Sequence, residues 1–511
     1  MQPQNRFKPI KYRGLTLIAC LWLSITGHAC ARSAQTIAAE TTQGDAKAEA
    51  ALGMEYTLGR NEPQNYAKAV YWLRRAADQK NADAAFLLGL FYLRGKAVAQ
   101  NDEKAAKWFR LAAHQGLRRA EFNLSTLYYF GHGVPQNYPK AAFWARRAAH
   151  QGYAAAENNL GLLYTKGQGV PLNYSRAAYW FHRAIQQGHL DADNNLGLLY
   201  ARGQGVPQNF VKAAALFRLA ADKGYPEAEY NLGLFYGNGQ GVKQSYSKAR
   251  HWLRLAADQG YAASESALGV LDHLGRGVPP NNTKAAYWLR RAAHQDNPVA
   301  EVNLGVLYNK GLGVPQNSIK AFHWFRRAAH QGNASAEQDL GVLYNKGLSV
   351  PQNSIKAFHW FRRAAHQGNV NAEANLGTFY ARGRGTPRND AKAAYWLHRA
   401  AAHGQAGAET NIGILYARGL GVQQSYNMAA FWFRLAAHQG LARSQLALGT
   451  LYQHGHGVSQ NNVKSYFWFA LAAKNHNKIA ARNLKRIAQL MTPAQIAEAQ
   501  TLVRHDDNKY H

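Results

Sequence analysis

Cysteine is almost missing from this chain of 511 residues: there are two, Cys20 and Cys30, and both precede Ala31. Beyond them no disulfide can staple the chain, and no thiol can serve as nucleophile or metal ligand. Acidic residues are also scarce, with 29 Asp plus Glu against 60 Lys plus Arg, for a formal net charge of +31. That balance points to an anionic partner or surface without saying which. No stretch is apolar for the roughly 20 residues that a membrane-crossing helix needs. Proline is ordinary at 15, so the abundant glycine, 46 residues, does not mark a collagen-like or low-complexity chain. With 47% hydrophobic residues, a disordered chain is excluded as well.

The N-terminal segment carries Arg6, Lys8, Lys11 and Arg13, an apolar core from Leu15 to Ile25, and then Ala29-Cys30-Ala31. This is the charged, apolar and small-residue layout of a secretory signal, and it predicts cleavage near Ala31. A lipoprotein reading through Leu17-Ile18-Ala19-Cys20 is weaker, because the apolar stretch is short before Cys20 and continues past it. The expected mature chain is periplasmic or secreted, has no transmembrane span and no cysteine, and stands at +27. It must hold itself together by packing alone.

What the sequence has in plenty is repetition. Leu52-Gly53 recurs as Leu88-Gly89, Leu160-Gly161, Leu196-Gly197 and onward to Leu448-Gly449, always a multiple of 36 residues apart, with Leu124-Ser125 filling one gap. Trp keeps the same period from Trp72 to Trp468, with Leu216 in one place. The domain organisation read from this is a signal at 1–31, a linker at 32–44, twelve repeats over 45–476, a half repeat with a capping helix over 477–503, and a disordered tail at 504–511. Each unit reads as two short helices around a loop such as Gly167-Gln168-Gly169-Val170-Pro171-Leu172-Asn173. Thr492-Pro493-Ala494-Gln495 supplies an N-cap, a proline at the first helical position and a glutamine at the third, which predicts the terminal cap. One copy, VLYNKGLGVPQNSIKAFHWFRRAAHQG from Val306, returns from Val342 with Gly313 replaced by Ser349, the mark of a unit duplication.

The motif seen from Leu304 to Gly332 resembles the Sel1-like repeat family, a relative of the tetratricopeptide repeat. The resemblance implies an all-α fold: an α-solenoid, a right-handed superhelix of about twelve 36-residue helix-turn-helix repeats with a C-terminal capping helix. It also implies a non-enzymatic scaffold or adaptor that binds protein or peptide partners in its groove, in cell-envelope processes or host interaction. A cysteine-rich branch is called β-lactamase-like; it ties each repeat with a disulfide, whereas the mature chain here has no cysteine. A β-lactamase-like hydrolase is therefore kept only as an alternative.

Two rows of side chains stand out as candidate sites. Asn123, Asn159, Asn195, Asn231, Asn303, Asn375 and Asn411 precede the repeated Leu or Ile, with Asp339 in one slot. A carboxamide both donates and accepts, so such a ladder can hold the backbone of an extended peptide without reading its sequence. Equally, each can bond its own or the next repeat's backbone. The residue before it varies, and Phe86, Phe122 and Tyr230 are the specificity candidates. A basic stripe on the second helix includes Lys140, Arg147, Lys284, Arg291, Lys320, Arg327, Lys356 and Arg363, interleaved with aromatics. It suits an anionic envelope polymer or lipid head group, or is simply a solvated face whose cations favour the helix dipole. Nucleic acid ranks last among anions, since the signal takes the chain out of the cytoplasm. The repeated acids from Glu49 to Glu409 read as dipole-favouring residues at the start of the first helix. No catalytic pair repeats. No cofactor or metal is expected, because equivalent histidines in stacked helices stand about 10 Å apart while zinc needs ligands at about 2 Å.

Overall fold

A computed structural model of the chain describes residues 44–59 and 63–507. The signal expected at 1–31 lies outside the described residues, as does the expected linker up to 43. Among the described residues there are 26 helices and no strand. Twenty-four of them form helix pairs, the first pair starting at Ala46 and each later one 36 residues on. These pairs are numbered repeats 1 to 12 below.

Repeat 4 shows the local rules, with a first helix Ala154–Lys166 and a second helix Tyr174–Gln186. Asn173 is extended, and its side-chain oxygen accepts the backbone N–H of Arg176, so the second helix starts there. Asn caps ten of the twelve second helices in this way, and Ser245 and Ser425 cap the other two. The first helix stops at Gly167, in the left-handed region with φ +64°. Gly169 is left-handed for a second reason: a Cβ there would lie 2.1 Å from the carbonyl oxygen of Tyr138, at the start of the preceding repeat's second helix. The loop of one repeat is thus seated on its predecessor. Among the described residues only Ala97 and Ser349 stand at this position without being glycine, at φ +54° and +67°.

Packing inside the pair is set by the repeated glycine of the first helix. A Cβ on Gly161 would meet Phe181 Cε1 at 2.5 Å, and Phe181 is fully buried. The same close approach joins Gly89 to Phe109, Gly197 to Phe217 and Gly305 to Phe325. Repeat 3 solves the problem in reverse: Ser125 replaces the glycine, Ala145 replaces the phenylalanine, and the Ser125 hydroxyl donates to the Ala141 carbonyl at 2.8 Å.

The chain divides into two compact units at Gln244 and Ser245, in the loop of repeat 6. In each unit a first helix packs on its own second helix, and that second helix packs on the next first helix. Buried Ala, Leu, Phe and Trp form successive core clusters along each unit, such as that from Ala50 to Trp144 and that from Ala357 to Trp432. The protein is an all-α repeat solenoid. The second unit ends in helices Lys478–Ala488 and Pro493–Asp507. The expected capping box is formed, with the Thr492 N–H donating to Gln495 Oε1 at 3.0 Å and the Gln495 N–H to Thr492 Oγ1 at 3.2 Å. Ile487, Met491 and Ala499 cover the last buried ring, Phe469. The final helix runs to Asp507, so residues 504 to 507 are helical rather than part of a tail.

Candidate functional site

Two faces of each repeat carry the candidate residues: the first-helix face with the asparagine row, and the second-helix face with the cations. They behave differently. On the first-helix face, several carboxamides are consumed within the protein. Asn123 donates to the Arg119 carbonyl of its own helix at 2.8 Å. Asn195 donates to Asn158 Oδ1 at 2.9 Å and Asn231 to Asn194 Oδ1 at 2.8 Å, each tying one repeat to the one before. Asn411 reaches Thr378 Oγ1 at 3.3 Å. Asn159, Asn303 and Asn375 are half-buried and have no side-chain hydrogen-bond partner among the described residues. Asp339, which takes the asparagine slot between Asn303 and Asn375, is also half-buried and without an ionic partner. Burial pushes its carboxyl up to about 6.

The three specificity candidates separate likewise. Phe86, expected to meet a partner, is a core residue instead: it is 6% exposed and tilted against Phe109 at 5.8 Å. Phe122 is half-buried, edge-on to Tyr153 at 5.3 Å. Tyr230 is half-buried too, and burial raises its hydroxyl above the ordinary range. At this position in repeats 4 and 5, Asn158 and Asn194 are buried acceptors for the row beside them.

The second-helix face neutralises one row of its arginines internally, while Arg110, Arg146, Arg290, Arg326, Arg362 and Arg434, each one residue earlier, stay exposed and outside any ion pair among the described residues. Arg147 pairs with Glu121 at 2.8 Å, Arg291 with Glu265 at 2.8 Å, Arg327 with Glu301 at 3.1 Å and Arg363 with Glu337 at 2.7 Å. Each of these glutamates is fully buried. A glutamine at the end of the second helix donates to the other carboxylate oxygen, as Gln151 does to Glu121 at 2.9 Å and Gln367 to Glu337 at 2.7 Å. The four arginines are therefore not free surface cations, and the glutamates do more than favour a dipole. Each triad pins the start of the first helix to the end of the second. Burial raises these carboxyls above their usual range even beside the guanidinium, and Glu301 reaches about 7, with Asp296 nearby adding to the rise. Sequence reasoning missed the triad, although a signal existed: Arg75, Arg147, Arg183, Arg291, Arg327, Arg363 and Arg399 each follow a glutamate by 26 residues. Of the leucines in the arginine place, Leu111 and Leu471 stand opposite Ala85 and Gln445, and Leu219, Leu255 and Leu435 opposite Asp193, Glu229 and Glu409.

The lysines differ from the arginines. Lys140, Lys320 and Lys356 lie over the rings of Tyr128, Tyr308 and Tyr344 at 5.4 to 5.5 Å and remain exposed. Lys284 is exposed with no such ring beneath it, since its repeat has Asp272 in the tyrosine slot. Seven of the tryptophans, from Trp72 to Trp396, form a structural seam in which the arginine of the same repeat stacks over the indole at 5.0 to 5.3 Å. Histidines ending the second helix, such as His114 and His366, meet the next repeat's Trp144 and Trp396 edge-on at 5.3 and 5.1 Å. Among the described residues no group of three or more His, Cys, Asp or Glu is placed to hold a metal ion. No helix there is long and apolar enough to cross a membrane.

A solenoid of 36-residue helix pairs, tied by buried Glu-Arg-Gln triads and exposing polar rows, defines a repeat protein built for contact along its length. The Sel1 repeat model matches it twelve times in succession, from 46–81 through 442–477, and the chain belongs to the Sel1 repeat family. Among solved structures, c5321, a protective antigen present in uropathogenic Escherichia coli strains and displaying an SLR fold, is 31% identical. That match covers 94% of this chain and 95% of c5321, with a TM-score of 0.56. A Sel1 repeat protein from Oxalobacter formigenes is 32% identical over 60% of this chain and 89% of its own, with a TM-score of 0.48. No curated protein sequence matches the chain at a significant level. Sel1 repeat proteins are typically protein-interaction scaffolds, and the family is generally non-catalytic. Neither the geometry nor the relatives lend support to a β-lactamase-like hydrolase.

Proposed function

We propose that the protein is a non-catalytic scaffold whose first-helix face binds an extended segment of a protein partner, in the periplasm or outside the cell after cleavage near Ala31. The observation that carries this reading is the contrast between the two faces. Arg147, Arg291, Arg327 and Arg363 of the second-helix face are paired internally, while Asn159, Asn303, Asn375 and Asp339 present half-buried donors and acceptors with no internal partner. Such groups are open to water in the free protein, and a peptide backbone can take the place of that water. A photo-crosslinking amino acid placed in cells at Val299, which is 52% exposed on a first helix, tests the face against Ile319, 71% exposed on a second helix. Crosslinks from Val299 and none from Ile319 are expected; the opposite pattern would overturn the assignment.

A second reading, an anionic envelope polymer bound along the second-helix face, draws support from exposed rings that recur beside the tryptophans. Tyr71, Phe143, Tyr179, Tyr287 and Tyr395 are each more than half exposed, and the lysine row lies on the same helices. With Arg147, Arg291, Arg327 and Arg363 paired to buried glutamates, Lys140, Lys284, Lys320 and Lys356 would carry that binding together with the exposed Arg146, Arg290, Arg326 and Arg362. It should weaken steeply with salt, and salt-independent binding of an acidic polysaccharide would remove it.

A further inference from the structure

The near-identical repeats 8 and 9 are an internal record of divergence. Over the 27 residues from Val306 and from Val342 they differ only at Gly313 and Ser349. In the eight residues just before, Pro298 to Gly305 against Ala334 to Gly341, they differ at four. The unchanged residues there, Ala, Glu, Leu and Gly, are buried in both copies, and the changed ones reach solvent. Exposure alone does not explain the pattern. Ile319 and Ile355 are the most exposed large hydrophobic residues of the two repeats, at 71% and 70%, and have stayed the same. Apart from the loop position of Gly313 and Ser349, change has been confined to the exposed part of the first helix, where Val299 became Ser335, Val302 became Gln338 and Asn303 became Asp339, or the reverse.

Asp339 is the consequence of that divergence with chemical content. On the first helices of the second unit the other carboxylates are Glu265, Glu301, Glu337, Glu373, Glu409 and Asp272, all buried, and Glu409 alone of these has a glutamine and no arginine. Asp339 alone stands on the half-exposed row, between two carboxamides that also lack partners. Val306 and Val342, partly buried beside the row, offer apolar surface for an aliphatic stem. In a chain this basic, a lone unpaired carboxylate in a half-desolvated row is complementary to a cation brought by a partner.

We propose that Asn303, Asp339 and Asn375 form the reading site of the first-helix face, taking an extended peptide whose backbone the two carboxamides hold and whose lysine or arginine pairs with Asp339. The inference rests on the first-helix face being the partner surface, and it adds which residue chooses and what it chooses. The raised carboxyl of Asp339 agrees with it, since an incoming ammonium or guanidinium would restore the charged form.

The test is a random 12-residue peptide library selected on the full mature chain, on Asp339→Asn and on Asp339→Lys, with far-UV circular dichroism confirming equal folding. Asp339→Asn restores the residue found in the neighbouring repeats and leaves the helix unstrained. The wild-type protein should enrich peptides with Lys or Arg at one fixed position, and replacing that residue by Ala should weaken binding about tenfold or more. Asp339→Asn should erase that preference while peptides still bind, and Asp339→Lys should turn it toward Asp or Glu. If all three proteins enrich the same cationic peptides, Asp339 is not the reader and the inference is overturned, though the peptide-binding face stands. If the wild type enriches no peptide at all, the proposed face and the inference fall together.

Discussion

The contact between Gly161 and Phe181 decides how closely the two helices of a repeat approach, and a double-mutant cycle can test it. A side chain on residue 161 would put its Cβ 2.5, 2.7 and 3.0 Å from three ring atoms of Phe181. Comfortable carbon contacts lie near 3.5 to 4.0 Å, so the ring must move by about 1 Å in a site with no spare exposure. Overpacking of this kind costs about 1 to 3 kcal/mol, partly offset by up to about 1 kcal/mol because glycine is a poor helix former. Gly161→Ser should therefore destabilise by about 1 to 2 kcal/mol. Phe181→Ala opens a cavity and should cost about 3 to 5 kcal/mol. Together the two changes rebuild the arrangement of Ser125 with Ala145, including a hydroxyl able to donate to the Ala177 carbonyl as Ser125 does to Ala141. The serine then fills part of the space that the phenylalanine vacates. The double variant should lose at least about 2 kcal/mol less than the sum of the singles. Hydrogen exchange of the amides in Ala154–Lys166 and Tyr174–Gln186 is the right assay, because a long array need not unfold in one step and local opening reports the affected repeat. Additivity within about 0.5 kcal/mol would refute the claim that this one contact sets the helix spacing.

Three further expectations follow from the same geometry. Ser349→Gly should raise the stability of repeat 9 by up to about 1 kcal/mol, because Ser349 is held at φ +67° where Gly313 stands in the sister repeat; slower exchange in Ala334–Lys346 checks it. Arg183→Leu should cost about 3 kcal/mol by leaving buried Glu157 without its cation at 3.0 Å, while Arg183→Leu with Glu157→Gln, the pairing of Gln445 with Leu471, should return most of the loss in a urea unfolding series. The third concerns pH: Glu301 is raised to about 7 from an ordinary 4.5, so its contribution is fully present below the unfolded value and is lost as pH rises through the folded one. Glu301→Gln should be more stable than wild type at pH 8, by at most about 3 kcal/mol, and the two should converge only as pH falls below the ordinary value of 4.5. Chemical denaturation of both at each pH measures the gap, and a gap that widens on acidification would contradict the sign.

The period of 36 residues, the helix pair, the caps and the terminal capping box were all legible in the sequence, because each depends on residues close together in the chain. Asn173 and Gly167 act on their own helix ends, and Thr492 and Gln495 are three residues apart. The triad of Glu157, Arg183 and Gln187 was not read, since its members are separated by a whole loop and helix and have an ordinary explanation where they stand. Nor could the row of asparagines be sorted by eye. Asn195 and Asn159 occupy the same slot, and what makes one satisfied and the other not is the residue one turn of the array earlier: Asn158 accepts from Asn195, whereas Phe122 offers nothing to Asn159.

That last comparison has a consequence for how such an array acquires specificity. In repeats 4 and 5 the variable position is spent on joining neighbours, through Asn158 and Asn194. In repeats 8 and 9 it is Val302 and Gln338, and the adjoining row is left without internal bonds. A single substitution at the variable position can therefore move a carboxamide from structural service to binding service without altering the buried Glu, Leu and Gly that hold the repeat. Phe122→Asn should do the reverse, supplying Asn159 with an acceptor, stiffening the joint between repeats 3 and 4 and removing one free group from the first-helix face. Slower exchange at that joint, with partner crosslinking from Val299 unchanged, is the expected result. If exchange there does not slow, the variable position does not control the row.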